Sequence, residues 1–245
     1  MTHLYGGYTT YGQPIGILML DTRFPRIPGD IGNAKTYPGI GVRYKFVKNA
    51  QASRIMGQSP DPELLEPFIE AARELEAEGC RAITTSCGFL AKFQKELAAA
   101  VNIPVFSSGI MLAHLAKQMI GPGKKVAVFT ERAWNITEEH FTSLGFTSEE
   151  AGIVVVGMLE GSRFPALFID GGIEEDLEVL QDCMREITER CMREHPDVGA
   201  IVFECTNFGP FTKLVHDIAK VPVFGVNLLV QMMAAAVDPP AYPVE

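Results

Sequence analysis

Along the 245-residue chain, short apolar runs alternate with longer segments whose apolar positions recur every three or four residues. The runs are PIGILML (14–20), VRYKFV (42–47), CRAITT (80–85), PVFS (104–107), KKVAVFT (124–130), GIVVVGML (152–159), GAIVFE (199–204) and PVFGV (222–226), and their length and β-branched content predict strands. The segments 62–79, 88–101, 108–120, 133–145, 174–195 and 211–220 predict helices. Strands that are apolar on both faces and alternate with helices belong to parallel sheets covered on both sides, so the expected class is α/β.

A relation between two distant segments sharpens this picture. Residues 80–109 align without a gap on residues 198–227, a constant offset that pairs Ala82 with Ala200, Ile83 with Ile201, Cys87 with Cys205, Phe93 with Phe211 and Lys95 with Lys213. The same offset pairs Pro104, Val105 and Phe106 with Pro222, Val223 and Phe224. An internal repeat of this kind implies two lobes of one design. The expected division is 1–108 plus 226–245 for the first lobe and 109–225 for the second, each lobe a parallel sheet flanked by helices. Parallel sheets bind ligands beyond the carboxyl ends of their strands, and both cysteines stand at such ends, so the cleft is expected between the lobes with one thiol on each wall.

Composition narrows the partner. A net charge of -9 with no block of like charge weighs against nucleic acid or an anionic membrane and favours a small molecule. No apolar run reaches the roughly 18 residues a membrane span needs, and MTHLYGGYTT has no signal-peptide pattern, so a cytoplasmic protein is expected. The five cysteines form neither C-x-x-C nor a zinc spacing, and the histidines form no H-x-x-x-H pair, which predicts neither disulfides nor a metal site. Cys183 and Cys191, eight apart in one helical segment, and Cys80 are read as packing residues.

Cys87 and Cys205 each precede a predicted helix, whose N-terminus supplies free N–H groups and a partial positive charge that would lower a thiol from its usual pKa of about 8.5. The same N–H groups can hold a carboxylate, with Ser86, Thr206 and Asn207 as further donors. One thiolate and one thiol facing each other could take a proton from one face of a carbon next to a carboxylate and return one to the other, without metal or pyridoxal phosphate. The alternative is that both are buried junction residues of a duplicated fold.

The stretches AITTSCGFLA and IVFECTNFGPF, the repeat, and the opening GILMLDTRFPRIPGD together resemble the aspartate/glutamate/hydantoin racemase superfamily over essentially the whole chain. The resemblance implies a cofactor-independent enzyme, a homo-oligomer, with Cys87 and Cys205 as its acid/base pair acting on a small carboxylic acid. The chain has Cys87-Gly88-Phe89 where glutamate and aspartate racemases usually carry C-N-T, while Cys205-Thr206-Asn207 stays closer to that form. A racemase or epimerase is the first expectation. The superfamily also includes dimethylsulfoniopropionate lyases, whose branch LDTRFPRIPGD resembles, and arylmalonate decarboxylases, which usually keep one cysteine. The rivals outside the superfamily's chemistry are a non-catalytic two-lobed binding protein, which has no need of paired thiols, and a thiol redox protein, which would carry C-x-x-C.

Asp21 and Thr22 follow the first strand, and Thr130 and Glu131 follow its counterpart, so all four are expected at the cleft, with Asp21 orienting Cys87. Gly88 and Phe89 complete the candidate binding set, and Arg23, Arg26 and Arg43 are read as solvated. The Gly- and Pro-rich loop 22–39 is expected to cover the cleft.

Overall fold

The structure, a computed structural model, describes residues 3–57 and 59–241. Strands form at all eight runs: β1 Ile15–Met19, β2 Val42–Phe46, β3 Ala82–Thr85, β4 Val105–Phe106, β5 Lys125–Thr130, β6 Ile153–Gly157, β7 Val198–Phe203 and β8 Val223–Phe224. They make two four-stranded sheets of order β2-β1-β3-β4 and β6-β5-β7-β8, parallel throughout. The central strands are buried along their length, as their unbroken apolar runs require.

The helices are α1 Ala52–Ile55, α2 Leu65–Ala77, α3 Gln94–Ala100, α4 Met111–Met119, α5 Glu139–Thr142, α6 Arg163–Phe168, α7 Leu177–Glu194, α8 Thr212–Ala219 and α9 Val226–Val237. Phe68, Ala71, Ala72 and Leu75 form the buried stripe of α2, and Leu180, Cys183, Met184, Ile187 and Cys191 that of α7. Cys183 and Cys191 are thus core residues of the second sheet's outer layer. The expected helix over 133–145 forms only a 3-10 turn, Ala133–Asn135, and the four residues of α5. There the Thr137 N–H donates to the His140 ring at 3.0 Å, a local bond that caps the chain between the two pieces.

Each lobe closes with a helix that packs on the other sheet. After β4, α4 lies against β5, β7 and β8; after β8, α9 lies against β1 and β3. The repeat is visible in the elements themselves: each cysteine caps a six-residue 3-10 turn, Gly88–Phe93 or Thr206–Phe211, that runs directly into α3 or α8.

Candidate active site between the two sheets

The cysteine turns meet at the carboxyl ends of β3 and β7. Cys87 and Cys205 both line one small cleft between the sheets, and both are nearly buried, at 6% and 5% exposure. Thr206 Oγ1 donates to Ser86 O at 2.8 Å, which ties the two turns together, and Ser86 Oγ accepts from Leu20 N–H at 2.9 Å. Leu20, Phe24, Ala52, Met56 and Phe168 make the cleft's apolar wall. Phe24 comes from the first lobe's loop and Phe168 from α6, and their rings meet edge to face at 4.9 Å.

Loop 22–39 lies over this cleft and is fastened to the second lobe. Gly29, at φ +103, packs so closely on Pro210 that a Cβ would come within 2.6 Å of its Cα, and its carbonyl accepts from Asn227 Nδ2 at 2.7 Å. Asp30, buried beside it, accepts from Asn207 Nδ2 at 2.8 Å and pairs with Arg26 at 2.6 Å. Arg26 also donates to Thr22 Oγ1 at 2.9 Å and stacks 4.4 Å above the Phe24 ring. Arg26 is therefore a cleft residue with a side chain only 15% exposed, not a solvated one. Arg23 is exposed, and Arg43 pairs with Glu78 away from the cleft.

Of the expected binding set, Thr22, Ser86, Gly88, Thr206 and Asn207 line the cleft with the thiols. Three residues do something else. Asp21 pairs with Arg23 at 2.7 Å and faces an outer hollow rather than Cys87. Phe89 turns into the first lobe's core, fully buried, with its ring edge-on to His140. Thr130 is fully buried and gives its hydroxyl to Glu204 Oε2 at 2.8 Å.

Glu204, the last residue of the predicted strand run 199–204, is a further residue of the site. Its side chain reaches the cleft from the end of β7, and among the described residues no hydrogen bond of good geometry satisfies its Oε1. It also explains Gly88: a Cβ there would fall on the Glu204 carbonyl oxygen and lie 2.5 Å from Oε1. Glu131, after β5, accepts from Cys205 Sγ at 3.3 Å.

Electrostatically the site is not what a helix N-terminus alone predicts. Loss of water pushes both carboxyls up to about 8, and for Glu131 the neighbouring Glu204 adds to this. Burial, reinforced by these acids, holds both thiols well above the ordinary range. The N–H groups of Phe89 and Leu90 at Cys87, and of Asn207 at Cys205, pull the other way but do not prevail. The expected lowering of the thiols is thus overturned, because a short buried 3-10 turn takes away more hydration than its N–H groups replace. Among the described residues no cluster of three or more His, Cys, Asp or Glu is arranged to hold a metal ion, and no helix is long and apolar enough to cross a membrane.

The Asp/Glu/Hydantoin racemase family model matches residues 33–233. The chain belongs to that family. A dimethylsulfoniopropionate lyase from Durusdinium sp. clade D is 30% identical over 214 residues, covering 86% of this chain and 70% of the lyase. Among solved structures, an allantoin racemase from Klebsiella pneumoniae superposes with a TM-score of 0.62 at 17% identity, covering 94% of this chain and 96% of that one. An unliganded arylmalonate decarboxylase does so with a TM-score of 0.55 at 14% identity, over 95% and 96%. These two likenesses establish the racemase-family fold.

Proposed function

We propose that this member of the Asp/Glu/Hydantoin racemase family removes the proton alpha to a carboxylate with a cysteine base and then eliminates a β substituent of the dimethylsulfoniopropionate type. The carrying observation is the placement of two thiols in equivalent turns on one small, largely apolar cleft. The choice of elimination draws on the 30% identical lyase relative. The thiolate takes the alpha proton, the C–H electron pair becomes the new C=C bond, and the C–S bond breaks with its pair going to sulfur. A sulfonium thereby leaves as a neutral sulfide and an alkenoate remains. A second reading, racemisation, is favoured by the second thiol, which elimination does not require.

The test is incubation in heavy water with dimethylsulfoniopropionate and a panel of chiral carboxylic acids and amino acids. Acrylate and dimethyl sulfide in equal amounts are expected. Deuterium incorporation with loss of chirality and no alkenoate would instead select the racemase. If no substrate exchanges its alpha proton or eliminates, the carbon-acid reading is wrong.

A further inference from the structure

Cys87 and Cys205 occupy the same place in the repeat, yet their sulfurs face different atoms. Cys205 Sγ lies 3.3 Å from Glu131 Oε1 and 3.4 Å from Asn207 Oδ1. The orientation of the Asn207 amide is fixed by its other end, because Nδ2 donates to Asp30 Oδ2 at 2.8 Å and Asp30 is in turn held by Arg26. Its oxygen is therefore the atom turned to the thiol, and it can only accept. Glu131 Oε1 accepts as well, from the same Sγ. A sulfur between two acceptors must bring the proton itself.

No side-chain acceptor takes a hydrogen bond from Cys87 Sγ among the described residues, and the Phe89 and Leu90 N–H groups at the start of its turn favour the anion. The ionisable groups that bear on the two thiols are Glu204 and Glu131, both carboxyls, with the Asp30–Arg26 pair acting on Cys205 through Asn207.

We propose that Glu131 and Asn207 are positioning residues that keep Cys205 protonated, which makes Cys205 the acid of the pair and Cys87 the base. The assignment rests on the reading of the cleft as a carbon-acid site and adds a direction to it. The substrate's alpha proton moves to Cys87 Sγ, forming its S–H bond. In elimination the released pair expels the β group and Cys205 keeps its proton. In inversion the Cys205 S–H bond breaks as the new C–H bond forms; afterwards Cys87 gives its proton to solvent and Cys205 takes one from it.

Exposure of the two thiols is almost equal, so a small alkylating reagent meets similar access and its rates compare thiolate fractions. Iodoacetamide labelling at neutral pH, read by peptide mass, should modify Cys87 about 10-fold or more faster than Cys205, as a difference of one pKa unit gives. Above a pH of about 8, where Glu131 carries its charge, Glu131→Gln keeps the shape and removes the charge and the better acceptor; it should speed Cys205 labelling by about 10-fold and Cys87 labelling by less. Asn207→Leu should move Cys205 in the same direction. A second measurement needs neither reagent access nor these variants: ultraviolet thiolate absorbance of Cys87→Ala and Cys205→Ala across pH. The signal missing from Cys87→Ala should titrate at lower pH than the signal missing from Cys205→Ala. Equal or faster labelling of Cys205, an unchanged ratio in Glu131→Gln, or the reverse order of titration overturns the assignment. No substrate enters either measurement, so a failed carbon-acid reading leaves these results to stand or fall alone.

Discussion

The turn that carries Cys87 and the turn that carries Cys205 have the same length and lead into helices at the same offset, but they are completed by different polar groups. In the second lobe Thr206 and Asn207 follow the cysteine and reach across, to Ser86 O and Asp30. In the first lobe Gly88 and Phe89 follow it; one has no side chain and the other is buried in the core. The space a residue 88 side chain would fill is taken by Glu204 of the second lobe. Duplication thus preserved the backbone that aims the thiols, while the polar groups around both came to be drawn largely from one lobe. A site built this way treats the two faces of a substrate differently.

The largest effect that can break or sharpen this comparison is loss of either thiol. Cys87→Ala should lower turnover by about 100-fold or more, the usual contribution of a positioned base. Cys205→Ala should cost only about 10-fold in an elimination but as much as Cys87→Ala in a racemase, where both protons move in every turnover. Cys183→Ala and Cys191→Ala, which alter only the outer core of the second lobe, should leave the rate near wild type in the same assay.

Much of that asymmetry could not be read from sequence. Strand runs, the repeat and the paired thiols were legible because burial on both faces and a gapless offset leave a direct trace. The polar partners were not. Arg26 and Asp30 are spaced as a helical pair but sit in an irregular loop, where spacing carries no information, and only the fold buries them. Closeness to Cys87 in the chain predicts Phe89 in the cleft, but the 3-10 turn points it into the first lobe's core. Glu204 did leave a signal, a carboxylate ending the apolar run AIVF directly before a cysteine. The short helix α6 left almost none: six residues, Pro165 among them, are too few to show a period.

Next in size is a dependence of stability on pH. Glu131 and Glu204 stand at about 8 in the folded chain against 4.5 for an unperturbed glutamate. Because the folded values are raised, the unfolded chain ionises first: stability is full below 4.5, falls as pH rises, and levels off above about 8. Glu204→Gln mimics the protonated acid and can still accept from Thr130. In urea unfolding it should match wild type near the acidic end and exceed it above the upper end by on the order of 3 kcal/mol, a few pKa units discounted for relaxation. Glu131→Gln should act in the same direction. A double variant with the wild-type pH dependence would show that these carboxyls are not the buried acids beside the thiols.

The smallest predicted effect compares position 88 with its repeat partner, position 206. Gly88→Ala adds one methyl where the Glu204 carbonyl and carboxyl already stand, so either the turn or Glu204 must move, at a cost of about 2 kcal/mol for overpacking. Thr206→Val keeps the volume but removes the hydroxyl that reaches Ser86 O, a loss of about 1 kcal/mol for one buried hydrogen bond. If Glu204 is what forbids a side chain at 88, then Glu204→Ala, which clears its carboxyl but not its carbonyl, should relieve part of the Gly88→Ala penalty when the two are combined. The Thr206→Val cost should add to Glu204→Ala without such relief. Unfolding free energies of the two double-mutant cycles measure this directly, and strict additivity in the first would mean that the crowding at Gly88 comes from the backbone alone.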